Sequence, residues 1–155
     1  MLKKATLPEK KRAGTACPEE MAFLDLLRTT DILSRRLIPV LKSADLSATQ
    51  YNVLRILRGA PAGLACGEIA GRMITRDPDV TRLLDRLEKR GLISRSRETK
   101  DRRTVMTRIT SQGLQLLSRL DGPVRAAHRR QLGHLGRHRL RALTGLLAAA
   151  RRAMD

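Results

Sequence analysis

Aromatic residues are almost missing from this chain: Phe23 and Tyr51 are the whole complement, and there is no tryptophan. A core without large rings has to be assembled from Leu, Ile, Val, Ala and Met, which suit helices better than sheets. Cysteine is scarce as well. Cys17 and Cys66 are the only two, too few for a disulfide scaffold and in keeping with a reducing cytoplasm. No apolar run approaches the roughly 20 residues that a membrane-spanning helix needs. The basic stretch 1–12 leads into no apolar segment, so it is not read as a secretory signal. Acids are in short supply: 15 Asp and Glu stand against 32 Lys and Arg, a formal net charge of +17. A balance that basic calls for a polyanion, and without a membrane segment nucleic acid is the expected partner. What the chain does have is 41% hydrophobic residues over 155 positions, enough for one domain with one modest core.

The pattern along the chain is mostly helical. Residues 1–17 are polar, basic and aperiodic and are read as a mobile arm. Helical periodicity starts at Pro18, where Glu19 and Glu20 sit in a first turn as the helix dipole favours. Phe23, Leu26, Leu27, Leu33, Leu37 and Leu41 then form an apolar stripe, which Pro39 is expected to end or kink. Ser47-Ala48-Thr49-Gln50 reads as a capping box opening a second helix with Tyr51, Leu54 and Leu57 inward. A short helix over about 66–74 follows, weakened by Gly67 and Gly71. Next, Asp77 reads as the N-cap of a helix with Pro78 at its first position. Val80, Leu83, Leu84 and Leu87 form its apolar stripe, and Gly91 its stop. Asp79, Arg82, Arg86, Lys89 and Arg90 lie opposite. After Gly91 the period drops to two: 92–97 and 104–110 read as strands around the charged turn Glu98-Thr99-Lys100-Asp101-Arg102-Arg103. Residues 111–155 return to helix, with breaks expected at Gly122-Pro123 and at 133–136. Helix, helix, amphipathic basic helix, hairpin: that order is a winged helix-turn-helix in a mainly α protein with a two-stranded wing. The terminal helices carry more apolar surface than so small a domain covers, so a homodimer is expected.

These residues resemble the MarR family of transcriptional regulators. The resemblance runs over 46–117, through LSATQYNVLRIL, EIAGRM, DPDVTRLLDRLEKRGLISRSR, DRR and ITSQG; the weaker matches at 18–45 and 118–153 fall on helices that dimerise in that family. It implies a bacterial, cytoplasmic and nucleoid-associated repressor or activator that loses DNA affinity when a ligand, metal or oxidant is sensed. The domain plan that follows is an arm at 1–17, a dimerisation helix at 18–45, a winged domain at 46–112 and dimerisation helices at 113–155. One departure is Ala65 with Gly67, where such proteins usually place Ser or Thr caps; a lost cap costs about 1 kcal/mol.

A helix enters the major groove with its N-terminal residues at the base edges, which puts Asp79, Thr81 and Arg82 there. Arg82 is the principal candidate, since a guanidinium pairs bidentately with guanine. Asp79 accepts from cytosine or acts by excluding wrong bases, and Arg76 and Arg86 are placed for phosphates. The resemblance further implies that Asp101 braces a wing arginine and that Arg103, with Arg102 beside it, enters the minor groove. Two copies then read a near-palindrome with half-sites about 10 bp apart.

Sensor candidates are thinner. Cys17 lies in a neighbourhood where some MarR proteins sense peroxide, but Tyr51 is the only tyrosine available to support a thiolate. Cys66 at a helix start reads more simply as a small half-buried residue. His134 and His138 are spaced i, i+4, yet Gly136 falls between them and no acids join, so neither a metal site nor any cofactor is expected. A ligand pocket, by resemblance, lies between the dimer helices and the winged domain; the dearth of aromatics disfavours phenolic inducers. Arg28, Arg35 and Arg36 are read as a solvated face. An enzyme is disfavoured, because no nucleophile with its base, phosphate loop, metal triad or paired buried acids is present. Glu68, Asp85 and Glu88 are read as helix-face partners of arginines. The alternative that stays open is a non-specific architectural DNA binder, which would be salt-steep and sequence-blind.

Overall fold

The computed structural model describes residues 17–97 and 104–152. The arm at 1–16 and the wing residues Asp101, Arg102 and Arg103 lie outside them. The element order is α1 (Pro18–Lys42), α2 (Ala48–Arg58), β1 (Leu64–Ala65), α3 (Cys66–Arg72), α4 (Val80–Lys89), β2 (Ile93–Arg97), β3 (Val105–Ile109), α5 (Ser111–Leu132), a 3-10 turn (Gly133–Leu135) and α6 (Gly136–Arg152). The chain divides into two compact units, Met1–Ile32 and Leu33–Asp155. In the first, every described residue from 17 to 32 is exposed, including Met21, Phe23, Leu26 and Leu27.

The second unit holds the core, and it is aliphatic as the composition demands. Tyr51, Val53, Leu54 and Leu57 of α2, Ile69 of α3, Val80, Leu83, Leu84 and Leu87 of α4, Leu92 and Ile93, and Leu117, Leu120 and Val124 of α5 form one cluster with Leu41 and Leu46. Each such side chain contributes roughly 1.5–3 kcal/mol by leaving water. The Ser47 box forms as its spacing predicts: Ser47 Oγ accepts from Gln50 N–H at 3.1 Å, and the Gln50 side chain accepts from Ser47 N–H at 2.9 Å.

Four features differ from the sequence expectation. Neither proline breaks its helix: α1 continues through Pro39 to Lys42 and α5 through Pro123 to Leu132. Proline costs a helix interior about 3 kcal/mol, and in α5 the burial of Leu120, Val124 and Ala127 on either side outweighs it. The sheet has three strands, in the antiparallel order β1-β3-β2, because Leu64 and Ala65 pair with Thr107 and Met106. Helix α4 starts later than Asp77-Pro78 suggests: its N-cap is Asp79, whose Oδ1 accepts from Arg82 N–H at 3.1 Å. Asp77 instead accepts from Asp79 N–H at 2.9 Å, closing a turn that holds Pro78 outside the helix. Finally, Glu68 pairs with no arginine in the hydrogen bonds of the described residues; its carboxylate accepts from Ala65 N–H at 2.8 Å. It thereby supplies the reciprocal half of a capping box, while Ala65 offers no side-chain acceptor for the other half.

The expected break at 133–136 is present as the 3-10 turn, and Gly136 there has φ +72°, a conformation that glycine adopts without strain.

Candidate nucleic-acid interface

Helix α4 is divided sharply between two faces. Val80, Leu83, Leu84 and Leu87 are buried, while Thr81, Arg82, Arg86 and Lys89 are exposed. Arg76 and Asp79, in the approach to the helix, are exposed as well. The cap that starts α4 also orients its first arginine: Asp79 Oδ2 pairs with Arg82 Nε at 3.1 Å while Oδ1 takes the Arg82 N–H. Both side chains are at least half exposed, so this pair holds Arg82 at the surface without removing it from solvent. The turn that delivers α4 is anchored from α2, where the Asn52 side chain accepts from Ile74 N–H at 2.9 Å. A cleft of about 470 Å³ runs beside this face, lined among others by Lys42, Ser47, Gln50, Asp77 and Arg86.

Two basic residues that look free in the sequence are not. Arg90, at the end of α4, donates from Nη2 to Ala44 O at 3.1 Å and from Nη1 to Asp45 O. It therefore fastens α4 to the turn after α1, where Asp45 has φ +52°. Arg95 of β2 reaches back to Asp85 and Glu88 of α4, at 2.6 Å from Nη2 to each. The Glu88 carboxyl is held below its ordinary value, chiefly by hydrogen bonds from Arg95. The same bonds raise the Arg95 guanidinium. A further pair, Arg58 with Asp121, joins α2 to α5 through two bonds at 2.9 and 3.1 Å. The Arg90 and Arg58 partners are 45 and 63 positions away in sequence, while those of Arg95 lie 7 and 10 positions back, across the change from helix to strand.

The remaining candidates are less organised. Cys17 is exposed and Cys66 half-buried, and both are free thiols. His128, His134 and His138 are exposed, and no group of three or more potential metal ligands occurs among the described residues. No helix of the described residues is long and apolar enough to cross a membrane. Beside the Arg58–Asp121 pair, a cleft of about 190 Å³ gathers Tyr51, Arg55, Arg125 and His128. The Arg55 guanidinium carbon there stands 5.8 Å from the centre of the Tyr51 ring.

A buried-faced helix presenting Thr81, Arg82 and Arg86, followed by a short antiparallel sheet, defines a winged helix-turn-helix DNA-binding protein. The model of the MarR family matches residues 46–105. A MarR transcription factor from Planctomyces limnophilus is 42% identical, with 88% of this chain and 98% of that one covered at a TM-score of 0.66. The transcriptional repressor CouR, solved bound to a 23-mer DNA duplex, is 30% identical over 87% of this chain and 92% of its own, with a TM-score of 0.70. The transcriptional regulator FarR of Neisseria gonorrhoeae is 27% identical over 132 residues, 85% of this chain and 90% of FarR. The chain belongs to the MarR family. It is a DNA-binding transcriptional regulator, and its relatives are regulators, not enzymes.

Proposed function

We propose that this protein is a repressor that binds a near-palindromic operator as a homodimer and is released by a small ligand. The observation that carries the reading is the exposed face of α4, where Arg82 stands ready beside its Asp79 cap. In this reading Arg82, Thr81 and Asp79 meet base edges in the major groove and Arg76 and Arg86 meet phosphates. Arg102 and Arg103, with Asp101 as their brace, act in the minor groove; these three lie outside the described residues. CouR, a repressor solved on DNA, supports the sign of regulation.

Support for the dimer comes from apolar side chains left in solvent by a single chain. Met21, Phe23 and Leu27 are each more than half exposed, Leu146 is 70% exposed, and α6 buries no residue at all. Support for ligand release comes from the cleft at the Arg58–Asp121 pair. Arg55, Arg58 and Arg125 outnumber its one carboxylate, so a small anion competes with Asp121 for Arg58 and loosens α2 from α5.

Sedimentation of the protein with a duplex carrying both half-sites tests this. Two chains per duplex are expected, with release on adding one of a panel of small carboxylates. One chain per duplex would contradict the dimer, and release equally complete in an Arg58→Met variant would contradict the proposed ligand site.

A further inference from the structure

The basic side of α4 is interrupted by two carboxylates, Asp85 and Glu88, which the reading of DNA above leaves unused. Arg95 of β2 holds both. Its Nη2 donates to Asp85 Oδ1 and to Glu88 Oε2 at 2.6 Å each, its Nε to Glu88 Oε2 at 2.9 Å, and its backbone N–H to Glu88 Oε1 at 3.0 Å. Only 25% of the Arg95 side chain is exposed. Register explains the reach: Ile93 and Arg95 of β2 oppose Ile109 and Thr107 of β3, so Arg95 shares the sheet face of buried Ile93 and Thr107. Among the described residues it is the only β2 side chain that makes an ion pair with α4.

We propose that Arg95 is a positioning residue for DNA reading: it sets the angle between the recognition helix and the wing, so that both grooves are read in register. The ladder with β3 runs the length of β2, but of the β2 side chains only Ile93 and Arg95 are turned away from solvent, Ser94, Ser96 and Arg97 being exposed. Each residue carries a strand about 3.3 Å further, so a tilt at Arg95 grows toward Arg97 at the end of β2. Base contacts tolerate about 0.5 Å of misplacement. A planar guanidinium with fixed donors can bind two carboxylates and define an angle; a lysine ammonium is a point charge on a flexible stem and defines none.

The inference rests on the assignment of α4 to the major groove and the wing to the minor groove. Its test compares affinities for three duplexes: the selected operator, one altered at a base pair facing α4, and one with A·T replaced by G·C in the flank facing the wing. The parent is expected to lose about tenfold at either alteration. Arg95→Met is expected to keep the penalty facing α4 while its flank penalty falls below about twofold. A triple variant, Arg95→Met with Asp85→Asn and Glu88→Gln, removes the unpaired charge and is expected to behave like Arg95→Met. Arg95→Lys supplies the comparison if the methionine variants do not fold, as judged by thermal melting, and should lose flank discrimination in part. Retention of the full flank penalty in Arg95→Met or Arg95→Lys, or its return in the triple variant, would overturn the proposal. Absence of any flank penalty in the parent would overturn the wing assignment itself, a distinguishable failure.

Discussion

Among the described residues Arg82 forms its ion pair with Asp79, and in the proposed complex it meets a base of the operator. Its pairing with Asp79 favours a position for the guanidinium beside the start of α4, which lowers the side-chain freedom lost on meeting a base. Arg82→Ala should weaken operator binding by about 1–3 kcal/mol and relax specificity at one position per half-site; a binding isotherm against single-base operator variants checks both. Asp79→Ala should cost about 1 kcal/mol of stability through the lost cap, read from a denaturant midpoint. Glu88 gives a pH prediction. Its folded carboxyl is held below the ordinary value by Arg95, so the stability it adds is complete above the unfolded value and fades as pH falls through the folded one. The melting difference between the parent and Glu88→Gln should therefore be largest near neutrality and shrink below about pH 4. The exposure of Arg82 and Arg86 on α4 was legible from the helix period alone. The pairings of Arg90 and Arg95 were not, because a partner 45 positions away, or one reached from a strand back to the preceding helix, leaves no mark on local pattern. Asp77 misled for a related reason: two aspartates flank Pro78, and only the observed turn shows which one caps the helix.

At the scale of elements, strong periodicity told the truth and single-residue punctuation did not always. The α4 stripe and the Ser47 box came through because many residues or two reciprocal bonds specify them together. Pro39 and Pro123 failed as stops because burial of neighbouring side chains overrides a local penalty. Strand β1 was invisible because two residues are too few to show a period; its position follows from Gly63, whose φ is +91° and whose missing side chain lets Thr107 O and the Arg108 side chain approach. Gly113 is the sharper case. A Cβ there would lie 2.3 Å from Leu92 O and 2.7 Å from Ile109 Cγ1, so Gly113→Ala should push α5 off the sheet and destabilise by about 1–3 kcal/mol or more. Ala65→Ser should act in the opposite direction. It gives α3 the acceptor that its N-cap lacks, and a gain of about 0.5–1 kcal/mol in unfolding free energy is expected.

The whole molecule carries +17, and a charge of that size attracts any DNA. Affinity alone therefore says little about what this regulator does, since an architectural protein of the same charge would bind as well at low salt. What separates the two readings is the placement of Arg82 and Arg86 on the exposed face of α4, opposite its buried stripe, and the apolar side chains that a single chain leaves uncovered on α1 and α6. Such an arrangement should assemble as a particle of twice the 17.3 kDa chain mass before any DNA is present, which light scattering would show. The most direct measurement is selection of random duplex DNA on the purified protein at about 150 mM salt, where non-specific binding is weak. Recovery of a two-fold-symmetric motif with half-sites about one helical turn apart is expected. Recovery of no motif, with affinity that collapses as salt rises whatever the sequence, would contradict it.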